Sequence, residues 1–478
     1  MVSLKSVKDE ATITFDTLTD RMRSVFNPTL KLGVTGLSRA GKTVFITSLI
    51  ENLLNSGRLP VFEVVREGRL LNAKLAEQPD SKIARFEYEK HIDCLINDRA
   101  WPQSTRSISQ LRIKLDFVPR SQTLKILKPT KLNIDIIDYP GEWLLDLPLL
   151  DKSYREFSMQ SIERASSFRH KDYAKAWLGA IQSINFLSDA NERDIKILSE
   201  SFKDYLKSAK NAGNMISALP PGRFLMPGHF DGAPVLSFSP IPDLGISEFP
   251  ENSIAKVMEQ RYEAYKDFVV KPFFREHIAR LDRQVILVDS LDAINGGAES
   301  VNEMQEALGE ILLCFRTGKN HLWGKLLHHK IDRILVAASK VDHLHHINHE
   351  RLETITTELV KTALKKAELN GVLTDTVAMA SLRATKEGTS KKHGESLPVV
   401  IGTPMKAEKI GDTVFDGKTE TAIFPGDLPD NLCELVNKNW QDHLQFVRFQ
   451  PPELKYGQPF PQIRLDRAME FLFGDYLI

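Results

Sequence analysis

One octapeptide near the start of the chain has the residue types and spacing that phosphate binding requires. It reads Gly36-Leu37-Ser38-Arg39-Ala40-Gly41-Lys42-Thr43 and stands between an apolar run, Leu30 to Thr35, and a helical pattern from Thr43 to about Asn55. Backbone N–H groups at a helix start point at a bound anion, and glycines allow the turn and the close approach. The sequence therefore predicts a phosphate-binding loop in which Gly36, the residues from Ser38 to Thr43, and Val44 contact a nucleotide.

Lys42 and Thr43 supply the charge and the metal ligand of this loop. A lysine here neutralises the β- and γ-phosphates and is predicted to be catalytic, and the adjacent hydroxyl binds Mg²⁺. The alternative is a chance match in a glycine-rich turn. Four specified positions arise by chance in only about one chain in a hundred of this length, which favours a real site.

A second element, Asp138-Tyr139-Pro140-Gly141, follows the apolar strand from Leu132 to Ile137. A carboxylate at a strand end holds Mg²⁺ through water, and the Gly141 N–H senses the γ-phosphate, as in the D-x-x-G segment of GTPases. Glu142 stands where Ras-like GTPases carry the glutamine that positions the attacking water. A carboxylate can orient water too, although its charge is unfavourable beside a triphosphate. Without the phosphate-binding loop, Asp-x-Pro-Gly would be an ordinary turn sequence.

A third element is typical of base recognition. Ser339-Lys340-Val341-Asp342 closes the strand from Arg333 to Ala338 and is similar to the N/T-K-x-D segment of GTPases. Asp342 would accept two hydrogen bonds from guanine, while the stem of Lys340 covers the base; adenine lacks that donor pair. His343 and, one strand later, Ser381 and Leu382 are further predicted nucleotide contacts. A solvated helix start is the alternative interpretation of the Lys-x-Asp pattern.

A first switch and a catalytic arginine are predicted on the segment before the first antiparallel strand. Thr105 is predicted to complete the Mg²⁺ coordination sphere in the triphosphate state, with Ser104 as the alternative residue. The other interpretation is that Thr105 is an ordinary loop residue without a metal-binding role. The arginine that stabilises charge in the transition state is predicted at Arg99, with Arg106 and Arg39 as alternatives.

Strands that alternate with helices predict an α/β fold of the P-loop NTPase type, Ras-like, with a mostly parallel sheet and one antiparallel edge pair near 108–127. We expect helical insertions and a small C-terminal extension, in which the polar tract 387–394 is an exposed loop. The predicted domains are an N-terminal amphipathic helix (1–29), a first part of the core (30–145, with a helical insertion at about 58–100), a mainly helical insertion (146–282), a second part of the core (283–386) and a C-terminal extension with short strands and a terminal helix (387–478).

Composition excludes several other classes. Lys+Arg and Asp+Glu are both 63, so the overall charge favours neither nucleic acid nor an anionic membrane. The three cysteines have neither a disulfide nor a zinc spacing. No run approaches the roughly 20 apolar residues of a membrane span, and the N-terminus lacks a signal peptide, which predicts a cytoplasmic protein. Peripheral membrane contact through the N-terminal amphipathic stripe is the minority alternative.

Other polar residues near these motifs are interpreted as structural. His343, His345, His346 and His349 have a spacing that could hold a metal ion, but a solvated helix start explains them better. Asp289 and Asp292 follow the strand 284–288 and are expected to cap a helix or form a turn. Both lie close enough to the predicted site to remain candidates.

The motifs together resemble the YcjX-like family of bacterial P-loop NTPases over nearly the whole chain. The residues that carry the resemblance are Gly33 to Thr43, Ile137 to Trp143, Ala338 to His343 and Ile463 to Ala468. The resemblance implies a Ras-like core with inserted helices, nucleotide hydrolysis and a link to bacterial heat-shock and phage-shock stress responses. Ser339 departs from the asparagine of typical GTPases.

These observations predict a molecular switch that binds GTP or GDP with Mg²⁺ and hydrolyses GTP. Hydrolysis would relax segments 101–106 and 139–146, and the helical region 146–282 would contact an unidentified protein effector. One alternative is an ATPase or a P-loop kinase, although an arginine-rich lid and an acceptor pocket are not evident in the sequence. The other is a nucleotide-binding scaffold with negligible hydrolysis.

Overall fold

The computed structural model describes residues 28–36, 39–55, 57–103, 107–120, 131–167, 170–211, 219–314, 331–392, 395–437 and 444–478. The strands are β1 (Thr29–Gly36), β2 (Leu70–Leu75), β3 (Ala84–Arg85), β4 (Ser109–Phe117), β5 (Lys131–Asp138), β6 (Arg283–Val288), β7 (Arg333–Ala338), β8 (Leu373–Ala378), β9 (Lys386–Lys392), β10 (Glu395–Gly402), β11 (Lys409–Ile410), β12 (Thr413–Val414) and β13 (Thr421–Ile423).

The α-helices are α1 (Lys42–Leu54), α2 (Glu63–Arg66), α3 (Tyr88–Ile96), α4 (Tyr154–Ser166), α5 (Lys171–Ser183), α6 (Glu192–Asn211), α7 (Gly222–Leu225), α8 (Ile254–Tyr265), α9 (Lys271–Glu276), α10 (Ser290–Asn295), α11 (Ala298–Cys314), α12 (His349–Glu368), α13 (Leu432–Asn437) and α14 (Leu465–Phe473). Short 3₁₀ helices cover Gly141–Asp151, Gly228–Phe230, Pro234–Leu236, Ile278–Arg280, Val341–His343, His346–Asn348 and Gly474–Tyr476, and a π-helix covers Lys266–Val270. None of the helices within the described ranges is long and apolar enough to cross a membrane.

The main sheet has the order β2-β4-β5-β1-β6-β7-β8, with β3 beside β4. The strands β5, β1, β6, β7 and β8 run parallel to one another, whereas β4 runs antiparallel to both β5 and β2. The predicted α/β fold with a mostly parallel sheet and antiparallel strands at one edge is therefore confirmed. The register places Gly36 beside Leu287, and Ala338 beside Val288 and Ala378. The carboxyl ends of four parallel strands thus meet at one edge of the sheet.

Apolar residues on alternating positions of the central strands fill two cores, because successive side chains of a strand point to opposite faces. On β6, Val285 and Leu287 join the core that contains residues of α1, α3 and α14. Ile286 and Val288 join the other core, with residues of α11, α12 and the helices that follow β5. The strands of the sheet centre are buried on both faces, as is typical of parallel sheets.

The helices between β5 and β6 are held together by aromatic side chains. Trp177 of α5 stacks on Tyr205 of α6 with ring centroids 5.5 Å apart. The region 220–250 is rich in proline and contains only short helical turns. It is nevertheless anchored in the same core, where the rings of Phe224 and Phe238 lie 4.8 Å apart.

The C-terminal helix belongs to the main sheet rather than to a separate unit. α14 contributes apolar residues to the core on one face of the sheet. Just beyond it, the carboxylate of Asp475 accepts ion-pair contacts from Arg283 at 2.8 Å and from Arg333 at 3.1 Å. Because these arginines begin β6 and β7, the chain end lies at the amino edge of the sheet, opposite the predicted nucleotide site.

Three sequence predictions need correction. The insertion at about 58–100 is not wholly helical, since β2 and β3 lie within it and join the main sheet. β4 has β5 as its antiparallel partner, and 124–127, the strand predicted beside it, lies outside the described residues. The tract 387–394 is not a loop over its described part, because β9 pairs with β10 in a smaller sheet. The N-terminal helix was predicted over residues 1–29, of which residues 1–27 lie outside the described ranges.

Candidate functional site

The predicted phosphate-binding loop connects β1 to α1 at the carboxyl edge of the sheet. β1 ends at Gly36 and α1 begins at Lys42. Lys42 is 8% exposed, and its ammonium group donates a hydrogen bond to the Gly36 carbonyl at 3.3 Å. Within the described residues, no carboxylate forms an ion pair with this lysine. A buried cation without a carboxylate partner suits a site that receives an anion.

The backbone of the loop contains left-handed residues just before the helix. Arg39 has φ 64° and Gly41 has φ 84°. A Cβ added to Gly41 would meet no heavy atom within 4 Å, so glycine is favoured here by the backbone conformation. Left-handed residues at a helix N-terminus are typical of backbone nests that bind anions. Ala40 and Thr43 are buried and Val44 is half-buried, while Ser38 lies outside the described residues.

The Asp-x-Pro-Gly element lies beside the loop. Asp138 ends β5, which pairs with β1, and is 2% exposed. The hydroxyl of Tyr139 donates a hydrogen bond to the Gln284 side-chain oxygen at 2.8 Å, and this bond fixes the segment to β6. Gly141 then begins the long 3₁₀ helix. A buried carboxylate, a buried threonine hydroxyl and a buried lysine at one sheet edge form a donor set that fits a Mg²⁺–triphosphate group.

Glu142 forms an ion pair that the sequence pattern did not reveal. The ammonium group of Lys210, in the last turn of α6, lies 2.7 Å from a Glu142 carboxylate oxygen. Burial raises the pKa of Glu142, but the charge and hydrogen bond of Lys210, aided by Lys42, outweigh burial and hold the pKa below its ordinary value. Glu142 is therefore present as a carboxylate, in contact with the helices between β5 and β6.

The predicted base-recognition loops are joined by hydrogen bonds. The Asp342 carboxylate accepts a hydrogen bond from the Ala384 N–H at 2.8 Å, and the Asp342 carbonyl accepts one from the Thr385 hydroxyl. Lys340 has φ 62°, and its ammonium group pairs with the Asp289 carboxylate. These contacts bring the ends of β6, β7 and β8 together, so that Asp342 is buried and fixed in orientation.

The other predicted base contacts lie on the same loops. His343 follows Asp342 and packs edge-on against the Phe449 ring at 5.4 Å. Burial lowers the pKa of this histidine. Ser381 and Leu382 follow β8 and are 9% and 4% exposed. The carboxyl edge therefore gathers the phosphate-binding loop, the Asp-x-Pro-Gly element and both predicted base loops.

Comparison with known proteins agrees with this arrangement. The profile of the YcjX-like family (DUF463) matches residues 30–477. The chain belongs to the YcjX-like family. It is 36% identical to the "Ras-like GTPase YcjX" of Escherichia coli (strain K12), an alignment that covers 94% of this chain and 96% of the relative. It is 34% identical to the "Ras-like GTPase YcjX" of Shewanella oneidensis (strain MR-1), with 96% and 98% covered.

One site prediction lacks a described contact with the phosphate-binding loop, and another falls outside the described residues. The guanidinium of Arg99 donates a hydrogen bond to the Pro451 carbonyl at 3.4 Å and lies 3.8 Å from a Glu453 oxygen, both in the C-terminal extension. None of its described contacts is with the phosphate-binding loop. The switch residue Thr105, with its alternatives Ser104 and Arg106, lies outside the described residues.

Asp289 has a larger part in the site of this family member than the predicted helix cap alone. Its carboxylate does cap α10, by accepting the Asp292 N–H at 3.2 Å, but it also pairs with Lys340. Lys210 and Ala384 were missed as site residues because each contacts a residue at least 42 positions away. Asp289 was kept as a candidate, but its ion pair with Lys340, 51 positions away, was not predicted. The position of Asp289 at a strand end was the one available sequence signal.

The histidines after Asp342 have separate environments. His346 is exposed and forms an ion-pair contact with Glu387 at 2.7 Å, with His345 nearby. His349 is buried, with its ring nitrogen 3.3 Å from the Leu344 carbonyl, so the expectation of a solvated helix start is wrong for this residue. The contacts of His346 and His349 are those of an ion pair and a buried hydrogen bond.

Asp146 lies on the 3₁₀ helix that begins at Gly141 and makes stability depend on pH. Burial raises the pKa of Asp146 to about 6, although Tyr265, Gly222 and Arg223 all donate hydrogen bonds to it. An Asp in an unfolded chain has a pKa of about 3.9. The folded state therefore binds this proton more tightly, and the stabilisation is complete below about pH 4 and lost as pH rises through about 6.

We expect Asp146→Asn to remove this pH dependence. Between pH 4 and 7, the free energy of unfolding of the wild type should fall by up to about 3 kcal/mol relative to the variant. Urea unfolding of both proteins at several pH values measures the difference. A pH-independent change in the free energy of unfolding caused by the substitution does not affect the result, because only the change of this free energy with pH is compared. Parallel stability curves for the two proteins would contradict the prediction.

Proposed function

We propose that the protein is a GTP-binding molecular switch that hydrolyses GTP with Mg²⁺. The observation that carries this proposal is that Lys42, Asp138 and Asp342 are all buried at one edge of the sheet, and that Lys42 has no carboxylate ion-pair partner among the described residues. The names of the two relatives, both called Ras-like GTPases, support it.

In this proposal, Lys42 and the loop amides hold the β- and γ-phosphates. Thr43 and Asp138 hold Mg²⁺, directly or through water. Mg²⁺ supplies charge neutralisation at the phosphates. The Gly141 N–H detects the γ-phosphate, and Glu142 orients the attacking water.

Guanine specificity is assigned to the loops after β7 and β8. Asp342 accepts hydrogen bonds from the two donors on the guanine edge, and the stem of Lys340 covers the base. The Ala384 N–H and the Lys340–Asp289 pair hold these side chains before the nucleotide arrives. A preorganised acceptor that stays unpaired with adenine disfavours ATP.

The helices between β5 and β6 are proposed as the effector region. Their Lys210 contacts Glu142 directly, so a change at the γ-phosphate has a route to α6. A role in the bacterial stress response is proposed on the family resemblance alone; a deletion strain that tolerates heat and envelope stress like its parent would argue against it.

Isothermal titration calorimetry with Mg²⁺ tests the proposed function. GTP is expected to bind at least about 100-fold more tightly than ATP, because Asp342 has no donor partner on adenine. Lys42→Ala should weaken GTP binding by about 100-fold or more, since it removes a buried charge from the phosphates. The exposed Lys90→Ala is the matched control and should bind as the wild type does. Equal affinity for ATP and GTP would refute guanine specificity, and an unaffected Lys42→Ala would refute the phosphate site.

A further inference from the structure

Lys210 reaches the predicted catalytic centre from the helices between β5 and β6. Its ammonium group lies 2.7 Å from Glu142, with side chains that are 24% and 9% exposed. The two residues are 68 positions apart in the chain. Glu142 directly follows Gly141, and the charge of Lys42 also acts on its carboxylate. The charges of Lys42 in the phosphate-binding loop and of Lys210 in α6 thus both act on the Glu142 carboxylate, and Lys210 alone of the two is shown in contact with it.

The position of Lys210 is set by the packing of α6. One face of this helix is buried in the core and carries Leu198, Phe202, Tyr205, Leu206 and Ala209. Rings from this face pack against Trp177 of α5, and Phe202 also contacts Phe224 of the proline-rich region. Lys210 therefore lies in the last turn of a helix that is packed into the core, where the helix dipole favours a positive charge.

The negative charge of Glu142 would be unstable beside a bound triphosphate without a nearby cation. A buried carboxylate beside a triphosphate loses solvation and is repelled by the phosphate charges. Both effects favour protonation or displacement of the carboxylate. An ammonium group at 2.7 Å balances the charge and leaves a carboxylate oxygen able to accept a hydrogen bond from water.

We propose that Lys210 is a positioning residue for GTP hydrolysis: it holds Glu142 as an oriented carboxylate, so that the site is complete only when α6 is seated against it. This inference rests on the proposed function. In the reaction, the water oxygen bonds to the γ-phosphorus, and the bond from this phosphorus to the β–γ bridging oxygen breaks. The bond's electron pair leaves with GDP, and a proton is released with the product phosphate. Glu142 accepts a hydrogen bond from the attacking water.

Single-turnover GTP hydrolysis by the full chain tests this role. Lys210→Met is expected to lower the rate at saturating GTP by about 10- to 100-fold, within the range of positioned acid–base groups. GDP affinity should stay at the wild-type value, because GDP has no γ-phosphate. Lys210→Arg should recover most of the rate. Lys207→Met, an exposed lysine of the same helix, is the control and should be unchanged.

The pH profile separates positioning from a purely structural role. Among the described residues, the charged groups that act on Glu142 are Lys210 from α6 and Lys42 from α1. Without Lys210, burial is opposed only by Lys42 and a backbone hydrogen bond, so the pKa of Glu142 rises. As pH is lowered, the Lys210→Met rate should therefore begin to fall at a higher pH than the wild-type rate does. A rate loss that is equal at every pH would overturn the proposal.

A double variant checks that Lys210 acts through Glu142. Glu142→Gln removes the charge that Lys210 balances, so Lys210→Met in that background should change the rate by less than about twofold. Additive losses would overturn the proposal, as would a Lys210→Met enzyme with the wild-type rate. Failure of the proposed function is distinct, because the wild type itself would then bind no GTP or hydrolyse none.

Discussion

Replacing Gly222 with alanine is expected to destabilise the protein strongly, by at least about 3 kcal/mol. A Cβ at this position would lie 1.8 Å from the carbonyl oxygen of Glu142 and 2.5 Å from its carbonyl carbon. Both are backbone atoms, which cannot swing aside as the end of a flexible side chain can. The amide of Gly222 is itself fixed to the Asp146 carboxylate at 2.7 Å. Neither segment can therefore yield without breaking buried hydrogen bonds.

Urea unfolding measures this loss, with Gly179→Ala as the matched control. Gly179 lies within α5 in the same group of helices, and a Cβ there would meet no heavy atom within 4 Å. The control should therefore be stabilised by up to about 1 kcal/mol, because alanine favours the helix. A Gly222→Ala protein within about 0.5 kcal/mol of the wild type would show that the close contact is absent in solution.

The same variant should change nucleotide binding in a specific direction. Since the clash is with Glu142, folded Gly222→Ala molecules should have a displaced backbone next to Gly141. GTP affinity is then expected to fall more than GDP affinity, because only GTP carries the γ-phosphate that this segment is proposed to detect. Titration of both nucleotides measures the ratio. An unchanged ratio would separate the structural role of Gly222 from the proposed switch.

Asp342→Asn is expected to exchange guanine for xanthine as the preferred base. The carboxylate accepts from the N1 and N2 donors of guanine in the proposed complex. Xanthine keeps the N1–H but has an oxygen at C2, which suits an amide that both accepts and donates. We expect GTP affinity to fall by about 100-fold or more and xanthosine triphosphate affinity to rise, because each mismatch leaves buried polar groups unpaired.

This substitution is suited to the fold as well as to the base. Asparagine keeps an oxygen acceptor for the Ala384 N–H, which donates to Asp342 at 2.8 Å. Competition binding with GTP, ATP and xanthosine triphosphate measures the preference. Asp267→Asn is the control, since Asp267 is exposed and pairs with Lys271 on the helical region. Unchanged preference for GTP in Asp342→Asn would remove Asp342 from base recognition.

The elements that carry the motifs could be predicted within a few residues. β1 and α1 flank a loop whose glycines and lysine are local signals, and β5 is an apolar run that ends in Asp138. β7 similarly ends before Lys340. Alternating strands and helices then indicate a parallel sheet, and the carboxyl ends of parallel strands share one edge. The approximate location of the candidate site thus followed from chain order.

Strand pairing in the folded protein produced two strands, β9 and β2, where the local sequence predicted a loop and a helix. The tract from Lys386 to Lys392 is polar and exposed along much of its length, yet it forms β9, because hydrogen bonding to β10 satisfies its backbone whatever its side chains are. In the same way, β2 became a strand of the main sheet by pairing with β4, within a segment predicted to be helical.

The residues and the order of the predicted phosphate, γ-phosphate and base elements can be read from the chain alone, because each element is a short run of neighbouring residues. Which charges meet at these elements depends on the folded structure. Lys210 contacts Glu142 across 68 positions, and Lys340 contacts Asp289 across 51. Such contacts depend on how inserted helices pack and how loops end, and no periodicity in the chain encodes them. The neutralised Glu142 carboxylate is therefore a property of the folded molecule.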